Sequence, residues 1–314
     1  MNAWILALVQ TTLLLLLAPL LSGWVKWVKC KLQSRRGPVP WQPYRDLAKL
    51  MRKEMVLAEH ASPIFRATPY IVLSVTALAS SVVPAFAIGL PTAAIADVIV
   101  MVGFFALARF FLSLAGMDIG TAFGGMGASR EVTISSLAEP AMLLSIFTLS
   151  MTFDSTNLDS MVHFTLTQPF HIYPSFIFSG LSLLLIATAE CGRIPIDNPA
   201  THLELTMMHE ALILEYSGRH LALLELASML KMLIFGVLIT NLFVPWGIAL
   251  APGVASLAIG TLSMLVKLML IGVVLAVSES VLAKMRLFRA PEFLSLAFVL
   301  SLLGMLSHVI LEVH

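Results

Sequence analysis

Charge is scarce in this chain. Only 12% of its 314 residues are Asp, Glu, Lys or Arg, 59% are hydrophobic, and the mean hydropathy is +0.94. A soluble globular chain carries about twice that charged fraction, so the composition excludes a water-soluble enzyme and a disordered protein. Cysteine is scarcer: Cys30 and Cys191, far apart in sequence, make no metal-binding pair. An excess of either charge is missing too. Nineteen Lys+Arg against eighteen Asp+Glu leave +1, which gives no field to gather nucleic acid. What the chain has instead is long apolar runs, and residues 1–314 read as one polytopic membrane domain.

Stretches of about 20 apolar residues, enough to cross roughly 30 Å of hydrocarbon, recur near 3–25, 67–88, 96–115, 131–152, 173–191, 221–244, 254–277 and 291–311. The expected fold is all-α, with eight transmembrane helices plus a cytoplasmic interfacial amphipathic helix. The first stretch is not expected to be a cleaved signal, because Lys26, Lys29 and Lys31 follow it rather than precede it. Loop 26–66 holds ten of the nineteen Lys+Arg. Arg130, Arg193, Arg219, Lys284, Arg286 and Arg289 fall on the same side, and both termini and segments 89–95, 153–172 and 245–253 hold none. The positive-inside rule then predicts both termini outside.

Within the basic loop, Pro43 can open a helix with Leu47, Leu50, Met51 and Met55 on one face and Arg45, Lys49, Arg52 and Lys53 on the other. That pattern suits a helix lying in the membrane interface, either as a lipid anchor or as a platform for a cytoplasmic partner.

Several charges fall inside the spans. Glu139 lies about 13 Å past Arg130 along a helix, and Lys231 and Lys267 are each roughly 15 Å into theirs. These three are expected near the midplane, with Arg109 shallower and Glu225 near the cytoplasmic edge. Such charges together cost on the order of 10–15 kcal/mol, which only pairing or a wetted path offsets. Static interhelical ion pairs are one reading; a proton-conducting or gating role is the other, since buried Lys and Glu have labile protonation.

Segment 190–220 is a cytoplasmic loop and the densest polar cluster. Asn198-Pro199 reads as the start of a helix running to about Glu215, which would put Glu204 and Glu215 on one face opposite Leu203, Met207 and Leu214. Glu190, Glu204, Glu215 and Glu225 would then form an acidic row. His202 and His209 lack a third ligand, so no metal site is expected. The run Gly116, Gly120, Gly124, Gly125 and Gly127 lacks a phosphate-loop ending and suits close helix approach or a bend between the third and fourth spans.

Four sequences together resemble one family, the subunit 1 family of respiratory complex I and its counterparts in membrane-bound nickel–iron hydrogenases. They are Arg35-Arg36-Gly37-Pro38 with Gln42, Asp46, Lys49, Lys53 and Glu54; Gly127-Ala128-Ser129-Arg130 with Glu139-Pro140; Ala189-Glu190 with Arg193, Pro195, Asp197, Glu204 and Glu215-Tyr216-Ser217; and Glu279-Ser280 with Ala283-Lys284 and Arg286. The Gly-Met-Asp run and the Glu279 motif look like the hydrogenase-4 component C and formate hydrogenlyase subunit 4 branch. Only three residues separate Pro38 from Gln42, and Ala200 and His202 stand where relatives carry carboxylates; these departures count against quinone binding.

The resemblance implies a non-catalytic component of a multi-subunit oxidoreductase in the prokaryotic inner membrane, anchoring a cytoplasmic electron-transfer arm to an ion-translocating membrane arm. Its partners would be hydrogenase-like large and small subunits, an iron–sulfur subunit and antiporter-like membrane subunits. Iron–sulfur clusters, and nickel–iron where kept, would belong to those partners, with no cofactor in this chain. The ion path would use Arg109, Glu139, Glu190, Asp197, Glu204, Glu215, Glu225, Lys231 and Lys267. The arm would dock on Arg35, Arg36, Asp46, Lys49, Lys53, Glu54 and Arg130. The alternatives are the quinone-binding subunit 1 of an NADH dehydrogenase-type complex I and a purely structural anchor.

Overall fold

A computed structural model describes residues 3–58, 61–167, 173–194, 196–197, 209–250, 253–282 and 289–312. It is an all-α bundle: α1 (Ala3–Leu32), α2 (Gln42–Arg52), α3 (Pro63–Val82), α4 (Val98–Asp118), α5 (Ala122–Phe153), α6 (Leu158–Thr167), α7 (Pro174–Glu190), α8 (His209–Ile213), α9 (Gly218–Phe243), α10 (Val254–Val281) and α11 (Ala290–Ser307). Among the described residues, seven helices are long and apolar enough to cross a membrane: α1, α3, α4, α5, α9, α10 and a last one formed by α11 with the turn that follows it. The remaining expected span, 173–191, is the shorter apolar helix α7. The chain is a multi-pass membrane protein.

Several helix starts are legible in their caps. Ser62 accepts from the Ile64 amide with Pro63 in the first turn, and Asp97 and Thr121 accept from the amides of Ile99 and Gly124. Each cap satisfies a backbone donor that lipid cannot. α9 is the central helix: 72% of its most apolar window is buried, against 22–44% for the other long ones. Phe105 of α4 stacks on Phe235 of α9, and Phe176 of α7 packs on Phe243.

Some boundaries differ from the sequence reading. α5 begins at Ala122, well before the expected 131, because Thr121 caps it and Gly120 takes a positive φ of 70° at the corner. Both expected uses of the glycines occur there: Gly120 makes the bend, and Gly116 and Gly124 serve close approach, since a Cβ on Gly124 would overlap the Gly116 carbonyl. α2 ends at Arg52 with Lys53 extended, so Met55 lies beyond the helix rather than on its apolar face. Residues 198–208 lie outside the described residues, and with them Glu204 and the expected start of a helix there. The helix reaches only Ile213, so Glu215 follows it in a turn and does not continue its face.

The end of the bundle opposite α2 is closed by loop pairing. The Ala249 carbonyl accepts from the Ile88 amide and the Ala249 amide donates to the Phe86 carbonyl, and the 3₁₀ turn Pro91–Ile95 is held by Asn157, whose side chain donates to the Ala93 carbonyl. Both carboxylate oxygens of Asp159 accept from the Gly89 amide.

Candidate functional site: a buried charge cluster below the basic end

α7 is the key to the site. Its 17 residues give about 25 Å of helix, short of the roughly 30 Å of hydrocarbon. Its last residue, Glu190, therefore ends inside the bundle rather than at its surface. Glu190 Oε2 accepts from Lys231 Nζ of α9 at 2.7 Å and pairs with the Arg109 guanidinium of α4. Arg109 also donates to Glu139 of α5 at 2.7 Å, and Glu131 Oε1 lies 3.5 Å from its Nε. Arg109 sits about 13 Å from the Asp118 end of α4, and Lys231 about 20 Å into α9. Four helices thus converge on one group of three carboxylates and two cations, with Arg109 and Glu190 buried, Glu131 and Lys231 mostly covered, and Glu139 at the edge with 34% of its side chain exposed.

Arg109, expected to be the shallower charge, is the hub. α4 continues past the expected end of its span, which moves Arg109 inward, and its long side chain covers the remaining distance. Sequence reasoning passes over Glu131, which stands at the first position of an expected span; the earlier start of α5 puts it well inside the helix. Pro140 follows Glu139 and removes one helical amide donor from α5 beside the cluster.

Lys267 belongs elsewhere. Its ammonium donates to Asn241 Oδ1 at 3.3 Å, while Asn241 Nδ2 donates to the carbonyls of Pro84 (2.7 Å) and Ala85 (3.0 Å). Asn241 lies next to the C-terminal end of α9, so this pair sits toward the far end of the bundle, apart from the Glu190 cluster. Gln10 serves the same turn, donating to the Val83 carbonyl. Of the three charges expected at similar depth, Glu139 and Lys231 share a cluster, while Lys267 pairs with Asn241 instead.

A second ion-pair group lies nearer the basic end. Glu279 of α10, buried, accepts from Lys29 of α1 at 2.7 Å and from Arg193 at 3.1 Å, and Arg193 also donates to the Met232 sulfur of α9. It joins two of the four sequence motifs, from positions 193 and 279. Neither Arg193 nor Glu279 is among the expected path residues; their motif placement was the available signal.

Three cavities with charged side chains in their lining border these groups. One of about 60 Å³ is lined by Arg109, Glu131, Glu190 and Lys231 among others. One of about 130 Å³ is lined by Lys26, Arg193, Asp197, Glu210 and Glu225. A third, of about 20 Å³, lies against Glu131, Glu190 and Asp197. Glu190 lines the first and third of these, Asp197 the second and third, and Glu225 the second, whereas Glu215 lines none of the three.

The Glu215-Tyr216-Ser217 motif has another use. The Tyr216 hydroxyl donates to the Phe65 carbonyl at 3.0 Å and its ring stacks on Phe65. Burial raises its phenol above the usual range. Ser217 exchanges two 2.8 Å hydrogen bonds with the Val56 backbone. Gly218, at φ 53°, is packed against the Glu54 carbonyl, where a Cβ would collide. The motif fastens the start of α9 to the end of the basic loop.

On that loop, Arg35, Arg36, Asp46, Lys49, Lys53 and Glu54 are exposed and Arg130 is half-buried. Asp46 accepts from Gln42 at 2.9 Å. Pro43 is buried, Tyr44, Leu47 and Leu50 are partly so, and Met51 is exposed, so α2 lies along the bundle through a narrower apolar face than expected. Among the described residues, no group of three or more His, Cys, Asp or Glu is placed to hold a metal ion.

The comparisons agree with this architecture. The family model described as NADH dehydrogenase matches residues 4–309. Hydrogenase-4 component C of Escherichia coli is 33% identical over 96% of this chain and 94% of its own length. Formate hydrogenlyase subunit 4 of the same organism is 30% identical over 96% and 97%. A chain of the archaeal membrane-bound sulfane sulfur reductase, a respiratory membrane complex, has the same fold, with a TM-score of 0.79 at 17% identity over 98% of this chain and 99% of that one. The chain belongs to the NADH dehydrogenase family of complex I subunit 1-like membrane proteins.

Proposed function

We propose that this chain is the membrane-anchoring and ion-coupling subunit of a membrane-bound, hydrogenase-type oxidoreductase related to complex I. It links a cytoplasmic electron-transfer arm to ion translocation. The observation that carries this reading is the cluster of Arg109, Glu131, Glu139, Glu190 and Lys231, centred on the buried Arg109–Glu190 pair. With all five ionised it holds three negative charges against two positive, an excess that one proton neutralises. A group balanced this way, in surroundings where charge is expensive, responds to a small change in its neighbours by taking up or releasing a proton.

The basic end would face the cytoplasm, with both termini outside, in the inner membrane of a prokaryote. The arm, made of hydrogenase-like large and small subunits with an iron–sulfur subunit, would rest on Arg35, Arg36, Asp46, Lys49, Lys53, Glu54 and Arg130. It would keep the metal cofactors. Antiporter-like subunits would flank the membrane face. Movement of the docked arm would reach the cluster through Tyr216 and Ser217, which fasten the loop to the start of α9, the helix that carries Lys231. In this reading Asp197, Glu204, Glu215 and Glu225 supply the entry side and Lys267 serves a separate step.

A second reading, a purely structural anchor, draws on the same ion pairs. One experiment separates the two. Glu139→Gln in the assembled complex should abolish ion translocation while leaving the complex intact. Unchanged translocation would overturn the coupling role.

A further inference from the structure

Glu190 is fully buried, and its two carboxylate oxygens have different surroundings. Oε2 meets both Arg109 and Lys231, while Oε1 has no hydrogen-bond partner among the described residues. A buried carboxylate oxygen left unpaired bears its desolvation without compensation, so the geometry calls for a partner. The cavity of about 20 Å³ beside it is lined by Glu190, Glu131, Asp197 and His209. That volume holds one water, and the lining is polar enough to bind it.

His209 is the residue common to all three cavities. It borders the 60 Å³ space that reaches Arg109 and Lys231, the 20 Å³ space at Glu190, and the 130 Å³ space that reaches Lys26, Arg193, Glu210 and Glu225. Among the described residues, no other lines all three. Its position is fixed by its own backbone, whose amide donates to Asp197 Oδ2 at 3.2 Å. His209 thus stands where the larger polar space and the small cavity at the Glu190 carboxylate adjoin.

We infer that His209 is the proton relay between the 130 Å³ cavity and Glu190, acting through one water in the 20 Å³ cavity. A proton taken up on one ring nitrogen from the larger cavity is matched by release of a proton from the other nitrogen to the water. The water passes one of its own protons to Glu190 Oε1. One proton moves in total, and tautomer exchange returns the ring to its starting form. This role rests on the coupling function proposed above and names the residue that feeds the cluster.

The test uses inside-out membrane vesicles carrying the whole complex, with redox-driven membrane potential as the readout and assembly checked on a native gel. His209→Ala should lower the initial rate of potential formation on the order of 100-fold, the lower range for a positioned proton-transfer group. Added imidazole should restore much of it in that variant and none in wild type. His209→Gln, which fills the site but relays nothing, should be as slow as His209→Ala. Wild-type rates in an assembled variant, or a loss that imidazole leaves untouched, would overturn the relay. So would failure of both variants to assemble, since His209 would then be a packing residue. Wild-type vesicles that generate no potential would instead defeat the coupling function itself.

Discussion

Replacing Arg109 by Met removes the one guanidinium that touches three carboxylates. The side chain is 7% exposed and that of Glu190 is 1% exposed, so water does little to replace it. Glu190 would keep Lys231, and Glu139 would lose its 2.7 Å partner. Deleting one member of a buried ion pair costs about 3–5 kcal/mol. Polar coupling inside membranes runs toward the lower end, because the unfolded chain in the bilayer also finds partners. We therefore expect a loss of about 3 kcal/mol, roughly a hundredfold in the folded population. Glu139→Gln in the same chain restores the original excess of one negative charge, and the double variant should recover most of the loss. The assay is reversible unfolding in mixed detergent micelles followed by the fluorescence of the five tryptophans. A single variant within about 0.5 kcal/mol of wild type, the range of an inert surface change, would refute the reasoning. A double variant no better than the single would do the same.

Three further outcomes follow from other parts of the molecule. Asn241→Leu should destabilise the bundle by about 2–3 kcal/mol, because it strands two carbonyls and Lys267, whereas Lys267→Met should cost only about 1 kcal/mol; equal losses in the same unfolding assay would contradict the hydrogen-bond assignment. Gly124→Ala should cost about 1–3 kcal/mol by pushing α5 away from the Gly116 carbonyl, and an unchanged melting point would show that the corner is loose. Burial raises the Asp159 carboxyl above its ordinary value, against the lowering effect of the Gly89 amide. The fold therefore favours the protonated form, and the stability this group lends is present in acid and lost as pH rises through its raised pKa. Asp159→Asn should then raise the thermal midpoint at pH near 7, with the gain fading toward pH about 4; a gain that grows in acid would reverse the sign.

Much of the fold was legible in the sequence because lipid imposes a length on every apolar run. The expected positions recur as α1, α3, α4, α5, α7, α9, α10 and α11, and Pro43 opens α2 as its chemistry suggested. What escaped were helix ends that depend on tertiary caps. Thr121 and the left-handed Gly120 carry α5 back to Ala122, a position that no hydropathy window selects. α6 and the 3₁₀ turn were also missed, because they owe their shape to Asn157 and Asp159 reaching across to another loop.

The site was legible in its parts and not in its pairing. Glu139, Glu190, Lys231 and Arg109 stood out as charges within or at the end of apolar runs, yet sequence spacing says nothing about which helices lie side by side. The shortness of α7 brought Glu190 down to Lys231, and the hidden depth of Glu131 came from the longer α5. Lys267 looked equivalent to Lys231 by depth alone; Asn241, an uncharged polar residue in a span, was the sign that it had a separate partner.

In the proposed coupling role, the cluster around Glu190 changes its proton content as the docked arm changes redox state. Redox-difference infrared spectroscopy of the purified complex in lipid measures this directly. The expected result is a protonated-carboxyl C=O band that appears or disappears on reduction, and is lost in Glu190→Gln and shifted in Glu139→Gln. A difference spectrum with no carboxyl band, or one that both variants leave unchanged, would contradict it.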